Sequence, residues 1–185
     1  MPDRPDLIRG EPRPTGTLPP RYAPGLALPS YRHVPGVTPH PRHDAKGHSH
    51  GAAEPEADLT SPGEWRRSSA YLRSIDLYNE GYWWESHETL EALWVAAGKF
   101  SPQALFFQGI IQVAAANIKW HLKNETAAAF LAKEAGAKLA RATREAVTTY
   151  MGLDVAAFVV RVRAFHIEGG GAEPGAWPPF IVLDA

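Results

Sequence analysis

Apolar positions divide this chain near residue 60. Beyond that point they recur at helical spacing, and each segment is bracketed by start and stop signals. Ser61-Pro62-Gly63-Glu64 reads as a capping box with proline in the first turn. The helix it opens is predicted to turn Trp65, Leu72 and Ile75 inward and to stop at Gly81. A second helix is predicted over about 83–97, ended by Gly98, and a third from Ser101-Pro102 to about Leu122. Asn124 can cap an alanine-rich fourth helix that ends before Gly152, and Asp154 a fifth carrying Phe158, Val162 and Phe165. A glycine run at Gly169–Gly171 then releases a tail, Trp177-Pro-Pro-Phe-Ile-Val-Leu, expected to pack back on the body. No alternating strand pattern competes. The pattern predicts an all-α fold, a single-domain bundle of about five helices over residues 61–167, with a C-terminal tail over 168–185.

The first 60 residues follow a different rule. Thirteen of the 17 prolines fall in the first 62 positions, which forbids long helices there. Residues 1–20 read as a mobile tail and 21–60 as an extended Pro/His-rich arm. Tyr22, Leu26, Leu28, Tyr31, Val34 and Val37 give that arm a reason to lie on the body, since disordered tails are poor in such residues. It also holds five of the eight histidines: His33, His40, His43, His48 and His50.

Charge and composition narrow the function. Nineteen basic residues face 20 acidic ones, a net charge of −1. Without a basic excess, neither nucleic acid nor an acidic membrane is an expected partner. The absence of cysteine excludes disulfides, thiolate catalysis and cysteine-ligated metals. No signal-peptide pattern opens the sequence, and Gln108, Gln112 and Asn117 interrupt the longest apolar stretch. A cytoplasmic protein without a membrane span is expected.

The candidate chemistry sits on the second helix. His87 and Glu91 are four apart, so they share a face. At about 100° per residue, Trp83, Trp94 and Trp84 fall within roughly 60° of His87, and Leu90 and Val95 complete the stripe. An ionisable pair on a buried face needs a compensating partner. Three readings stay open. The pair could organise the packing of the tryptophans, hold a divalent metal, or act as an acid–base dyad in which Glu91 orients His87. Two ligands do not complete a metal site; His121, Glu85, Glu88 or the arm residues His40 and His48 are the candidates to extend it. Gln108 and Gln112 form a second i, i+4 pair, in a lane with Gly109, Ala115 and Ala116 that lets a neighbouring helix approach. They are expected to face His87 and Glu91 as a buried network or as ligand contacts, with the tryptophans as walls. Asn79 is expected to cap the turn at Gly81 or to join that network. His121 and His166 lie late in their helices, where the dipole favours a partly positive ring. Lys133, Lys138, Arg141 and Arg144 read as a solvated face.

These motifs also carry a resemblance. His87, Glu91 and Trp94 match a His-x3-Glu-x2-aromatic signature, and Tyr78, Asn79, Gly81, Trp83, Trp84 and Glu85 match its lead-in. Gln108-Gly109-x-Ile111-Gln112 follows in the third helix, and the arm around Tyr31–Pro41 with Gly47-His48-Ser49 resembles an extension of some relatives. In these features the chain resembles a small bacterial and archaeal helical family, domain of unknown function 309, over about residues 21–165. The resemblance implies a helical fold and no particular reaction; it suggests metal binding only through the ligand types of its motif. Two functions therefore stand side by side. One is a metal-assisted or acid–base enzyme, hydrolase-like, with His87 and Glu91 at its centre. The other is a non-catalytic helical module that binds a small ligand or a protein partner. The arm is expected to dock near the second helix and supply an imidazole.

Overall fold

The structure is a computed structural model and describes residues 17–53, 57–98, 100–143 and 148–184. Most of the expected mobile tail falls outside the described residues. Among the described residues the body contains five α-helices: α1 (Ser69–Asn79), α2 (Trp83–Ala97), α3 (Pro102–His121), α4 (Glu125–Thr143) and α5 (Val155–His166). Among the described residues the only sheet is a ribbon pairing Thr149–Tyr150 with Leu153–Asp154. Met151 and Gly152 form its turn, both with positive φ. The fold is all-α, as the apolar pattern predicts.

Helix α3 is the central element. Phe106, Phe107, Ile110 and Val113 along it are fully buried, and α2 and α4 pack on either side. The small-residue lane explains the close approach of α4: Leu139 seats directly against Gly109.

The first predicted helix is broken into two. Pro62–Arg67 is a 3-10 segment, and α1 starts only at Ser69. Ser61 does not cap the backbone; its hydroxyl donates to the Glu64 carboxylate at 2.9 Å. A stronger cap operates further on. The Ser68 hydroxyl accepts from the Tyr71 N–H at 3.2 Å, while Asp58 accepts from the N–H groups of Ser69 and Ala70 and from both serine hydroxyls. Burial alone would raise the Asp58 carboxyl, but those hydrogen bonds hold it below its ordinary value. Two acceptors on the first N–H groups of α1 satisfy its open end, so the helix begins there.

The C-terminal tail returns across the body. Asn79, buried at the end of α1, grips the Ile181 backbone with two hydrogen bonds of 2.8 Å. Among the described residues its side chain neither caps the Gly81 turn nor joins a network with His87. The Leu183 N–H donates to the Tyr22 hydroxyl, so the tail also meets the arm.

Gly109→Ala should destabilise the protein by about 1–3 kcal/mol, the usual penalty of overpacking a tight helix contact. An added Cβ would lie 2.5 Å from Leu139 Cγ. Urea unfolding of the variant beside the Gly136→Ala control, whose nearest contact is 3.4 Å, measures this directly.

Candidate functional site

Extended backbone outside a sheet has N–H groups to spare, and the arm gives them to carboxylates of α1 and α2. Tyr22 and Ala23 donate to the buried Asp76 at 2.7 and 2.9 Å. Arg73 holds the Leu26 and Ala27 carbonyls, and the Tyr82 hydroxyl holds that of Pro29. Next, the His33 N–H donates to Glu85 at 2.8 Å, and His48 Nε2 meets the same oxygen at 3.0 Å. Glu85 is only 5% exposed. Burial pushes its carboxyl up, against the opposing hydrogen bond from His48. Glu85 thereby ties two points of the arm, 15 residues apart in sequence, to α2.

Between those points the arm loops over Trp84. The His33 and His40 rings stand edge-on to its indole, at interplanar angles of 79° and 82°, and their own centroids are 5.2 Å apart. Together with Pro35, Val37 and Pro39 they line a cavity of about 610 Å³, with Asp44 and Lys46 also on its wall. Gly47 makes the return of the loop possible, because any Cβ there would collide with the backbone carbonyls of His40 and Pro41. A smaller cavity of about 360 Å³ lies elsewhere, between Trp65, Arg66 and the ribbon turn.

The residues expected to converge are distributed differently. His87 is half-buried, stacked on Trp84 at 5.8 Å, with Nδ1 buried and without a hydrogen-bond partner among the described residues. Glu91 is exposed to solvent. The face of α2 that enters the core is formed by Trp83, Ser86, Leu90 and Leu93. That face is centred roughly 80° from His87 on the helical wheel, so Glu91 and Val95 point outward. Trp83 is core, packed against Trp120, His121 and Trp177, whereas Trp84 and Trp94 are half-buried. Gln108 and Gln112 are half-buried, and no hydrogen bond joins either to His87 or Glu91 among the described residues.

Metal ligation finds little support in this arrangement. Among the described residues no group of three or more His, Asp or Glu side chains is placed to hold an ion. His48 Nε2 is directed to Glu85, and His40 Nδ1 accepts the N–H groups of Arg42 and His43 at 3.3 Å. A different constellation, invisible in the motif spacing, links Ser49 Oγ to His48 Nδ1 at 2.8 Å and His48 to Glu85. Its order is that of a hydrolytic triad. The neighbouring backbone donors are already committed, Ser49 N–H to Pro41 and His50 N–H to Gly47, so they offer no oxyanion hole. The relay fastens the arm.

A second polar cluster lies at the far end of α3. His166 Nε2 meets Asn117 Oδ1 at 2.8 Å, and burial lowers this ring's pKa to about 4. Desolvation thus outweighs the helix dipole that favoured a positive ring. His33 behaves alike: burial, then the neighbouring His40, lower it to about 4.

These shifts fix a pH dependence. Unfolded histidines take protons near pH 6.5, whereas His33 and His166 in the fold resist protonation until about pH 4. The unfolded chain then binds more protons across that window, so stability should fall as pH drops from 6.5 towards 4, by at most about 3 kcal/mol per histidine. Glu85 acts oppositely, since its raised pKa relieves a desolvation cost on acidification. Two histidines against one carboxyl predict a net loss. Urea unfolding across the window should show it, and His33→Phe should flatten the profile substantially.

No curated protein matches the chain. Residues 71–131, spanning most of α1, all of α2 and α3 and the start of α4, match the family model described as "Domain of unknown function (DUF309)". No helix among the described residues is long and apolar enough to cross a membrane. Over this helical core, which contains the His87, Glu91 and Trp94 signature, the chain is similar to the DUF309 family.

Proposed function

We propose that this protein is a small-ligand-binding module whose site is the crevice between the arm and α2, and not a metal-dependent hydrolase. The observation that carries the reading is the cavity of about 610 Å³ walled by Trp84, His33 and His40. Its size falls within the range of small-molecule sites, and its lining joins aromatic and apolar surface from Trp84, Pro35, Val37 and Pro39 to polar groups on His33, Thr38, His40, Asp44 and Lys46. The arm is the unusual component. Most of a bundle's surface is formed by its helices, whereas here a proline-rich segment, held down by two buried carboxylates, supplies every lining residue of the cavity but Trp84.

Exposure of Glu91 weighs against a His87–Glu91 dyad, because a solvated carboxylate gains little from orienting a ring. His87 contributes to this reading as the aromatic neighbour that backs Trp84. Trp94, Gln108 and Gln112 lie along α2 and α3 outside the cavity wall and have no part in it. The even charge balance suits a cytoplasmic small-molecule binder.

A ligand-observed NMR screen of the full chain against a fragment library tests the proposal. Fragments that bind should lose at least about tenfold in affinity in Trp84→Ala, equivalent to about 1.4 kcal/mol. They should bind normally to Glu91→Ala. Fragments that bind Trp84→Ala and the parent equally would contradict the site. A stoichiometric metal in the purified protein that disappears in His87→Ala would restore the metal reading.

A further inference from the structure

We propose that the crevice takes a planar heterocycle presenting one hydrogen-bond donor and one acceptor on the same edge, as a lactam or other cis-amide ring does. This rests on the arm–α2 crevice being the ligand site. The fold locks the two histidines into opposite tautomers.

His33 Nδ1 lies 3.1 Å from the Pro39 carbonyl and 3.0 Å from the Thr38 hydroxyl. A carbonyl oxygen can only accept, so Nδ1 carries the proton. The Thr38 hydroxyl is itself fixed by accepting the Val34 N–H at 2.9 Å. In a neutral ring Nε2 is then a bare acceptor. His40 is arranged in reverse. Its Nδ1 accepts two backbone N–H groups, from Arg42 and His43, so it is unprotonated. The neutral His40 ring carries its hydrogen on Nε2. In both rings the loop engages Nδ1 and leaves Nε2 at the opposite edge.

Both rings line the crevice, with centroids 5.2 Å apart; the proposal sets their Nε2 atoms towards it, an acceptor from His33 and a donor from His40. Both rings stand edge-on to the Trp84 indole, and the prolines and Val37 add flat apolar surface. A ligand matching this set donates to His33 and accepts from His40 while its ring lies among apolar walls. A ligand with two acceptors would leave the His33 lone pair unpaired, and one with two donors would leave the His40 N–H unpaired. Buried polar groups left unpaired discriminate more sharply than lost apolar area.

The test uses the full chain at pH 8. Long-range proton–nitrogen NMR spectra should first report Nδ1–H for His33 and Nε2–H for His40; the same tautomer in both rings would overturn the proposal. Two probes then differ by one group: 2-pyridone, with donor and acceptor side by side, and N-methyl-2-pyridone, with the donor blocked. The unsubstituted probe should bind about tenfold more tightly, the worth of one hydrogen bond of about 1.4 kcal/mol. In His33→Phe the two probes should bind equally. In His40→Phe both should weaken while their ratio is kept. Equal binding of the two probes to the wild-type protein would overturn the ligand class and leave the crevice standing. If neither probe moves the Trp84, His33 or His40 resonances, the crevice itself falls with it. The wild-type comparison needs no variant, so a misfolded substitution cannot obscure the outcome.

Discussion

A carboxylate with almost no contact with water organises this molecule. Glu85 lies in the first turn of α2, and its charge would be expensive there without donors. The observed donors to it, the His33 N–H and His48 Nε2, come from the arm and not from another helix. Asp76 on α1 repeats the arrangement with the N–H groups of Tyr22 and Ala23. The helices hold acceptors that their own backbone cannot satisfy, and the arm holds donors that no sheet uses. Each meets part of the other's need: Asp76 is bonded through both oxygens, whereas Glu85 is bonded through Oε1 and its buried Oε2 has no hydrogen-bond partner among the described residues. The arm is consequently part of the folded body.

The crevice follows from that constraint. Because Glu85 binds residues 33 and 48 at one place, the chain between them must leave and return within a small span. Gly47 permits the return, and Tyr31 closes it by donating to the Pro39 carbonyl and accepting the His48 N–H. The loop so formed holds His33 and His40 against Trp84 and uses the Nδ1 atom of each ring. Backbone geometry thus dictates which ring nitrogens the loop engages and which it leaves.

Much of the fold was legible in the sequence because its signals were local. Proline, serine and glycine bracket α2 and α3 to within a residue or so of their observed ends. The first helix was misread because the deciding cap, Asp58, lies ten residues upstream of Ser68 and acts through its side chain. The site was harder to read. Three tryptophans near His87 suggested a buried stripe, yet large aromatics often lie half-exposed at the edge of a core, and only Trp83 faces inward. Glu85 stood out only as part of the motif lead-in and, like Glu88, as a candidate extra ligand; nothing in the order of residues marks it as the buried anchor of the arm. Its partners lie 52 and 37 positions away, a separation that no periodicity reveals.

Amide hydrogen exchange in Glu85→Ala, read by mass spectrometry against the wild-type protein, tests this account most directly. In the wild type, amides of residues 33–48 that donate hydrogen bonds, such as those of His33 and His48, should be protected. In Glu85→Ala that protection should be lost, while α2 and α3 keep theirs and the Trp84 indole becomes more solvated. An arm that stays protected without the carboxylate would contradict the claim that Glu85 holds it and shapes the crevice.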